Sequence, residues 1–122
     1  MNSKSVAVLL SLACAASLVA GPSASAMTAN YPVAHVKHQN SSLVVVEVNA
    51  SFFRGSVAEQ GRWFTAVEQC VRSVKMAGQT LLVAKVDGSY RFYAPKRWHS
   101  FMQTIDLNWV NARVNKSLTC NY

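Results

Sequence analysis

A chain of 122 residues with 12 Lys and Arg against 5 Asp and Glu, formal charge +7, has the size and charge of one small basic domain. Its 51% hydrophobic content excludes a disordered polybasic tail and predicts a packed core. The charge favours acidic partners: nucleic acid, an anionic surface such as lipid or cell-wall polymer, or an acidic protein.

The chain opens with Lys4, an apolar run from Val6 to Ala20, and Ala24-Ser25-Ala26, a small-x-small cleavage pattern. The run is shorter than the roughly twenty residues that span a bilayer, and Gly21-Pro22 breaks it. Residues 1–26 therefore read as a cleaved signal peptide, with a periplasmic or extracellular destination and no transmembrane segment once the leader is removed. Cys14 belongs to the leader. The residues before it, Ser11-Leu12-Ala13, do not form a lipobox, and the apolar run continues past it. That leaves Cys70 and Cys120, which in an oxidising compartment have only each other to pair with.

Residues 27–42 carry little periodicity and read as an extended N-terminal arm with a short strand at Val33–Val36. Residues 43–122 are expected to form a single domain. Leu43–Val48, a β-branched run with one charge, has the length of a strand and the apolarity of a central one. Phe52 and Phe53, in the connection that follows, are expected to fold back onto the core.

From Ser56 to Gly78 the pattern is helical. Ser56 and Glu59 have the spacing of a capping box. Trp63, Val67, Cys70, Val71 and Val74 recur at three- and four-residue spacing, and Gly78 suits a helix end. Thr80–Val86 and Ser89–Ala94 flank Asp87-Gly88 and read as a hairpin. A three-residue loop would pair Lys85 with Ser89 and Ala84 with Tyr90. It would gather Leu82, Ala84, Tyr90 and Phe92 on one face, and Lys85, Ser89, Arg91 and Tyr93 on the other. That register is preferred over a two-residue loop, which would place Arg91 beside Leu82.

Pro95 suits the first turn of a second helix, with Trp98, Phe101, Met102, Ile105 and Trp109 as its stripe. From Val110 to Cys120 apolar and polar residues largely alternate, predicting a last strand; continued helix over residues 109–119 is the alternative. The expected fold is α+β: a small, mostly antiparallel sheet of about four strands in the order β-α-β-β-α-β. Two amphipathic helices would pack on one face, with one disulfide.

Candidate sites divide by chemistry. The aromatic and basic stretch Tyr90–Trp98 has the composition of a surface for an anionic partner, with Lys85, Arg91, Tyr93, Lys96 and Arg97 as candidates. His35-x-x-His38 has no carboxylate or thiol nearby to complete a metal set, so no metal or other cofactor is expected. Glu47 and Asp106 lack an evident local role, thin grounds for a carboxylate-pair hydrolase. Glu47, His99 and Arg91 or Arg97 supply the residue types of a ribonuclease. There is no Gly-x-Ser-x-Gly. Asn40, Asn49 and Asn115 head Asn-x-Ser sequons, which matter only in a eukaryotic secretory pathway.

The reading that follows is a small exported, disulfide-bonded, non-catalytic binding protein with a protein partner, of the inhibitor, immunity or secretion-accessory kind. Its competitor is a secreted cationic effector or ribonuclease-like protein acting on nucleic acid or an anionic surface.

Overall fold

Two tight hairpins, one parallel crossover and a last connection that runs from one edge of the sheet to the other build it. The computed structural model describes residues 27–122, and the signal peptide predicted for residues 1–26 lies outside them. Strands β1 (Thr28–His38) and β2 (Ser41–Glu47) form the first hairpin, with His38 opposite Ser41. Its two-residue loop is Gln39-Asn40, with φ of 50° and 66°, the left-handed values that suit the right-handed twist of paired strands. The short helix α1 (Ser51–Arg54) and the long helix α2 (Val57–Ser73) then carry the chain over to β3 (Gln79–Val86). A crossover of this length lets β3 lie parallel to β2. The second hairpin joins β3 to β4 (Ser89–Tyr93). After a 3-10 turn (Lys96–Trp98) come helices α3 (His99–Thr104) and α4 (Leu107–Arg113), then β5 (Lys116–Asn121). The strand order is β4-β3-β2-β1-β5.

Among the described residues the architecture is α+β, but the sheet is mixed and five-stranded, with four α-helices. It is not a four-stranded, mostly antiparallel sheet with two helices. The difference starts at residues 28–38, which form one continuous strand where only Val33–Val36 was expected. Their pairing with β2 supplies hydrogen bonds that no periodicity announces.

The helices lie on both faces, not one. Along β2, Leu43 and Val45 join Leu81, Val83, Met102, Ile105 and Val110 in one core. By strand alternation Val44 and Val46 face the other side, with Leu82, Ala84 and Val86. Leu43 to Val46 are all fully buried, as expected of a central strand. On that second side α2 is tied to β5 by the Cys70–Cys120 disulfide, Cα atoms 5.8 Å apart. The Phe64 ring of α2 lies 5.1 Å from that of Tyr93. Phe53 folds into the same layer with Ala84 and Val86.

The second hairpin turns through two residues, Asp87 and Gly88, with φ of 51° and 81°. Val86 therefore faces Ser89, Lys85 faces Tyr90 and Ala84 faces Arg91, one residue away from the segregated register. Segregation is not required because both faces are covered. Arg91 shares a face with Leu82 and is accommodated there, its guanidinium carbon 5.6 Å from the centre of the Phe53 ring.

Helix α2 begins with the capping box: the Ser56 amide donates to Glu59 Oε1 (2.8 Å) and the Glu59 amide to Ser56 Oγ (3.1 Å). It ends at Ser73, before Gly78. Lys75, with φ 63°, takes the left-handed position, the Met76 amide donating to the Val71 carbonyl and the Lys75 amide to that of Arg72. The buried stripe runs through Val67 and Val71; Trp63 (38% exposed) and Val74 (47%) sit on its margins.

The second helical stripe is likewise broken. Asp106 stops the run and caps α4, its carboxylate accepting from the Trp109 amide at 2.9 Å. Residues 107–113 are thus helix and only 116–121 are strand, so each of the two readings of this segment holds for one part of it. Asn115 starts the return. Its side chain accepts from the His35 amide and donates to the His35 carbonyl, both at 2.9 Å, in imitation of a strand pair.

Residues Ala29–Cys120 make up one unit. Met27 and Thr28 group with Asn121 and Tyr122, where Met27 and Tyr122 exchange two backbone hydrogen bonds (3.2 and 2.7 Å). Among the described residues no helix is long and apolar enough to cross a membrane.

Candidate functional site

The tip of the first hairpin and the segment from Arg97 to Trp109 enclose a cleft of about 550 Å³. Local sequence sets each wall. Even-numbered positions of β1 face the α3–α4 side, which brings His38 over the Phe101 ring at a centroid distance of 4.3 Å. The 3-10 turn after Pro95, closed by a Trp98 amide to Pro95 carbonyl bond of 2.9 Å, sets Trp98 at the mouth of α3. The Asp106 cap sets the start of α4 and hence Trp109. Phe101 stands between the two indoles, edge-to-face with Trp98 at 5.9 Å and with Trp109 at 5.7 Å. Ile105, which belongs to the core beneath, also lines the cleft.

The polar side chains of the lining are His38, Gln39, Arg97, Ser100 and Thr104, of which Arg97 carries the charge. The guanidinium carbon of Arg97 lies 6.0 Å from the Trp98 ring centre, and the side chain reaches Gln79 Oε1 at 3.4 Å. Arg113 stacks on Trp109 at 4.1 Å and donates to the Trp109 carbonyl (3.1 Å). Trp98 Nε1–H is buried and meets no acceptor among the described residues. No carboxylate lines the cleft. Such a site can hold an apolar group and offer hydrogen bonds and positive charge to an acceptor at its rim.

The basic and aromatic candidates do not share one surface. Lys85 lies on the face of Tyr90, Arg91 and Tyr93 lie on the opposite face, and Lys96 and Arg97 begin the segment that walls the cleft. Of these five, Arg97 is the one in the cleft lining.

The two arm histidines also part. Three residues apart on a strand, they point to opposite faces: His35 Nε2 meets the Ala77 carbonyl at 2.8 Å while His38 stacks on Phe101. They cannot share a metal ion, and no group of three metal-ligating side chains occurs among the described residues.

The ribonuclease set is not assembled either. Arg91 faces away from Glu47, and Arg97 lies by Gln79, four residues along β3 from Val83, the partner of Glu47. His99 Nε2 meets the Ala94 carbonyl at 2.9 Å, with the ring against Phe92. Asp106 has a local role as a helix cap. Asn49 and Asn115 are likewise engaged, Asn49 accepting from the Ser51 amide at 2.9 Å, whereas Asn40 stands at the exposed hairpin tip.

Trp98, Phe101 and Trp109 pack against the core, as expected of the second helical stripe, and also line the cleft, to which His38 was not assigned. The available signal was Asp106 three residues before Trp109, a cap that splits the stripe into two helices whose aromatics border a cleft.

The chain matches no protein-family model, no curated protein and no solved structure.

Proposed function

We propose that this chain is a small exported binding protein, non-catalytic, that engages a protein partner through the cleft of Trp98, Phe101 and Trp109. The carrying observation is that three aromatic side chains and Arg97 line one concave site with no carboxylate in its lining, and that Arg113 stacks on one of those aromatics, Trp109. Tryptophan and arginine are the residues that dominate protein-binding hot spots, where an apolar anchor enters a pocket and polar groups rim it. Export is supported by the disulfide between Cys70 and Cys120 and by the leader-like sequence of residues 1–26. Binding is favoured over catalysis by the dispersal of Glu47, His99 and Arg91.

Site-specific photo-cross-linking tests this reading. A photoreactive residue in place of Ser100, in the cleft lining, is expected to give a discrete protein adduct in the source cell's envelope. The same residue in place of Gln69, exposed on α2, is expected not to give that adduct. Identical adducts from both positions, adducts to nucleic acid, or none at Ser100 would overturn the reading.

A further inference from the structure

We infer that the end of the sheet carrying Lys37, Lys75 and Lys96 is a docking surface for an anionic lipid bilayer, which holds the exported protein at a membrane surface. The three lysines lie outside the cleft lining, so this surface is independent of the partner proposed there.

The fold gathers these cations from three distant segments. Lys37 stands opposite Ser42, one pair short of the turn of the first hairpin. Lys75 lies two residues before Ala77, whose carbonyl meets His35 Nε2, and three before Gly78, which is pressed against the Ser42 carbonyl. Lys96 opens the 3-10 turn, and the adjacent Arg97 reaches Gln79, the partner of Leu43. All four cations are exposed. No Asp or Glu occurs in residues 35–46, 69–86 or 88–105, the stretches that supply them. The opposite end of β2 and β3 differs. There Arg54, Arg62 and Lys85 are matched in number by Glu47, Glu59 and Asp87, with Arg54 paired to Asp87 at 3.1 Å.

Three observations select lipid among anionic partners. Lys37, Lys75 and Lys96 form no side-chain ion pair among the described residues. An ammonium on a flexible stem is a point charge, suited to a layer of headgroups where each cation adds a similar increment. Apolar surface adjoins the charge: Val74, next to Lys75, is half exposed, and Trp98, next to Arg97, is half-buried. Such side chains beside lysines are the composition that enters a headgroup region. A nucleic-acid strand is disfavoured, because the rings that follow Arg97 meet edge to face and give no row of parallel open faces for successive bases.

The test is co-sedimentation of the oxidised protein with vesicles of phosphatidylcholine, alone or mixed in equal parts with phosphatidylglycerol. Binding is expected to the mixed vesicles only, and to fall about tenfold or more when salt is raised from about 0.1 M to about 0.5 M. Replacing Lys37→Gln, Lys75→Gln and Lys96→Gln together is expected to lower the partition coefficient about a hundredfold, at roughly fivefold per lysine. The charge-matched triple Arg54→Gln, Arg62→Gln, Lys85→Gln, at the opposite end, is expected to stay within about threefold of the parent, since those positions lie beyond the reach of the headgroup field. Equal losses in the two triples would show that net charge and not this surface drives binding, and would overturn the inference. So would equal binding to both kinds of vesicle, or no binding at millimolar lipid. Retention of RNA without binding to the mixed vesicles overturns the choice of lipid. The protein adduct at Ser100 is read separately, so either result can fail without the other.

Discussion

A Cβ placed on Gly78 would lie 2.5 Å from the carbonyl oxygen of Ser42. Gly78 therefore marks the point where β3 enters the sheet against β2, and its φ of +133° is itself unfavourable for any other residue. Gly61, within α2, has nothing within 4 Å of the same position. The two glycines should respond oppositely to alanine. Gly78→Ala is expected to destabilise by about 1–3 kcal/mol through overpacking and strain, and Gly61→Ala to stabilise by about 1 kcal/mol through helix propensity. Urea denaturation midpoints of the oxidised proteins read both, and shifts of the same sign would refute the assignment.

The disulfide closes a sequence separation of 50 residues, anchoring β5 to the last turn of α2. In the chain-entropy account a loop of this length contributes about 4 kcal/mol. That is a large share of the total for a domain of this size. The double variant Cys70→Ala, Cys120→Ala is expected to lose about 2–5 kcal/mol. Alkylation of the native protein should find neither Cys70 nor Cys120 free before reduction; two reactive thiols at these positions would contradict the pairing.

Asp106 links stability to the cleft because its cap bond goes to the amide of Trp109. Asp106→Ala is expected to cost about 1 kcal/mol and Asp106→Asn, which keeps an acceptor, much less. The alanine variant should also broaden or shift the Trp109 indole resonance, since the first turn of α4 positions that side chain. An unchanged midpoint in Asp106→Ala would show that packing alone fixes α4.

Local signals with a single physical cause were legible: the Ser56–Glu59 box, the buried run at Leu43–Val46, the one possible cysteine pair. The rest depended on partners that lie far away in sequence. Residues 28–38 are a strand because β2 and β5 lie beside them, and Gln39-Asn40 turns tightly without the glycine that usually announces such a loop. The register of the second hairpin departs from the segregated one because its polar face does not need solvent. Phe53, placed by α1, gives Arg91 an aromatic surface instead. The cleft was hidden for a related reason: periodicity shows which face of a helix is apolar, but not that Asp106 divides it. His38 reaches the same place from a hairpin some sixty positions earlier in the chain, a contact that no local spacing encodes.

Two ionisable groups shape the pH limits of stability from opposite ends. The Tyr90 hydroxyl donates to the Met102 carbonyl at 2.9 Å; burial, and then the negative charge of Asp106, push it from 10.0 up to about 12. A raised acid stays protonated in the fold after it has ionised in the unfolded chain. Its contribution is complete below pH 10 and is lost as pH rises through about 12. Glu59 is held below its ordinary 4.5, first by the Ser56 backbone amide and then by the Ser56 side chain. Its contribution is complete above pH 4.5 and fades as pH falls through the lowered value. Tyr90→Phe should therefore narrow its stability gap to the parent protein as pH climbs beyond 10, and Glu59→Gln should do so as pH drops below 4.5. Denaturation midpoints across both ranges check the pair. A gap that stays constant at either end would show that the corresponding group carries no pH-linked stability.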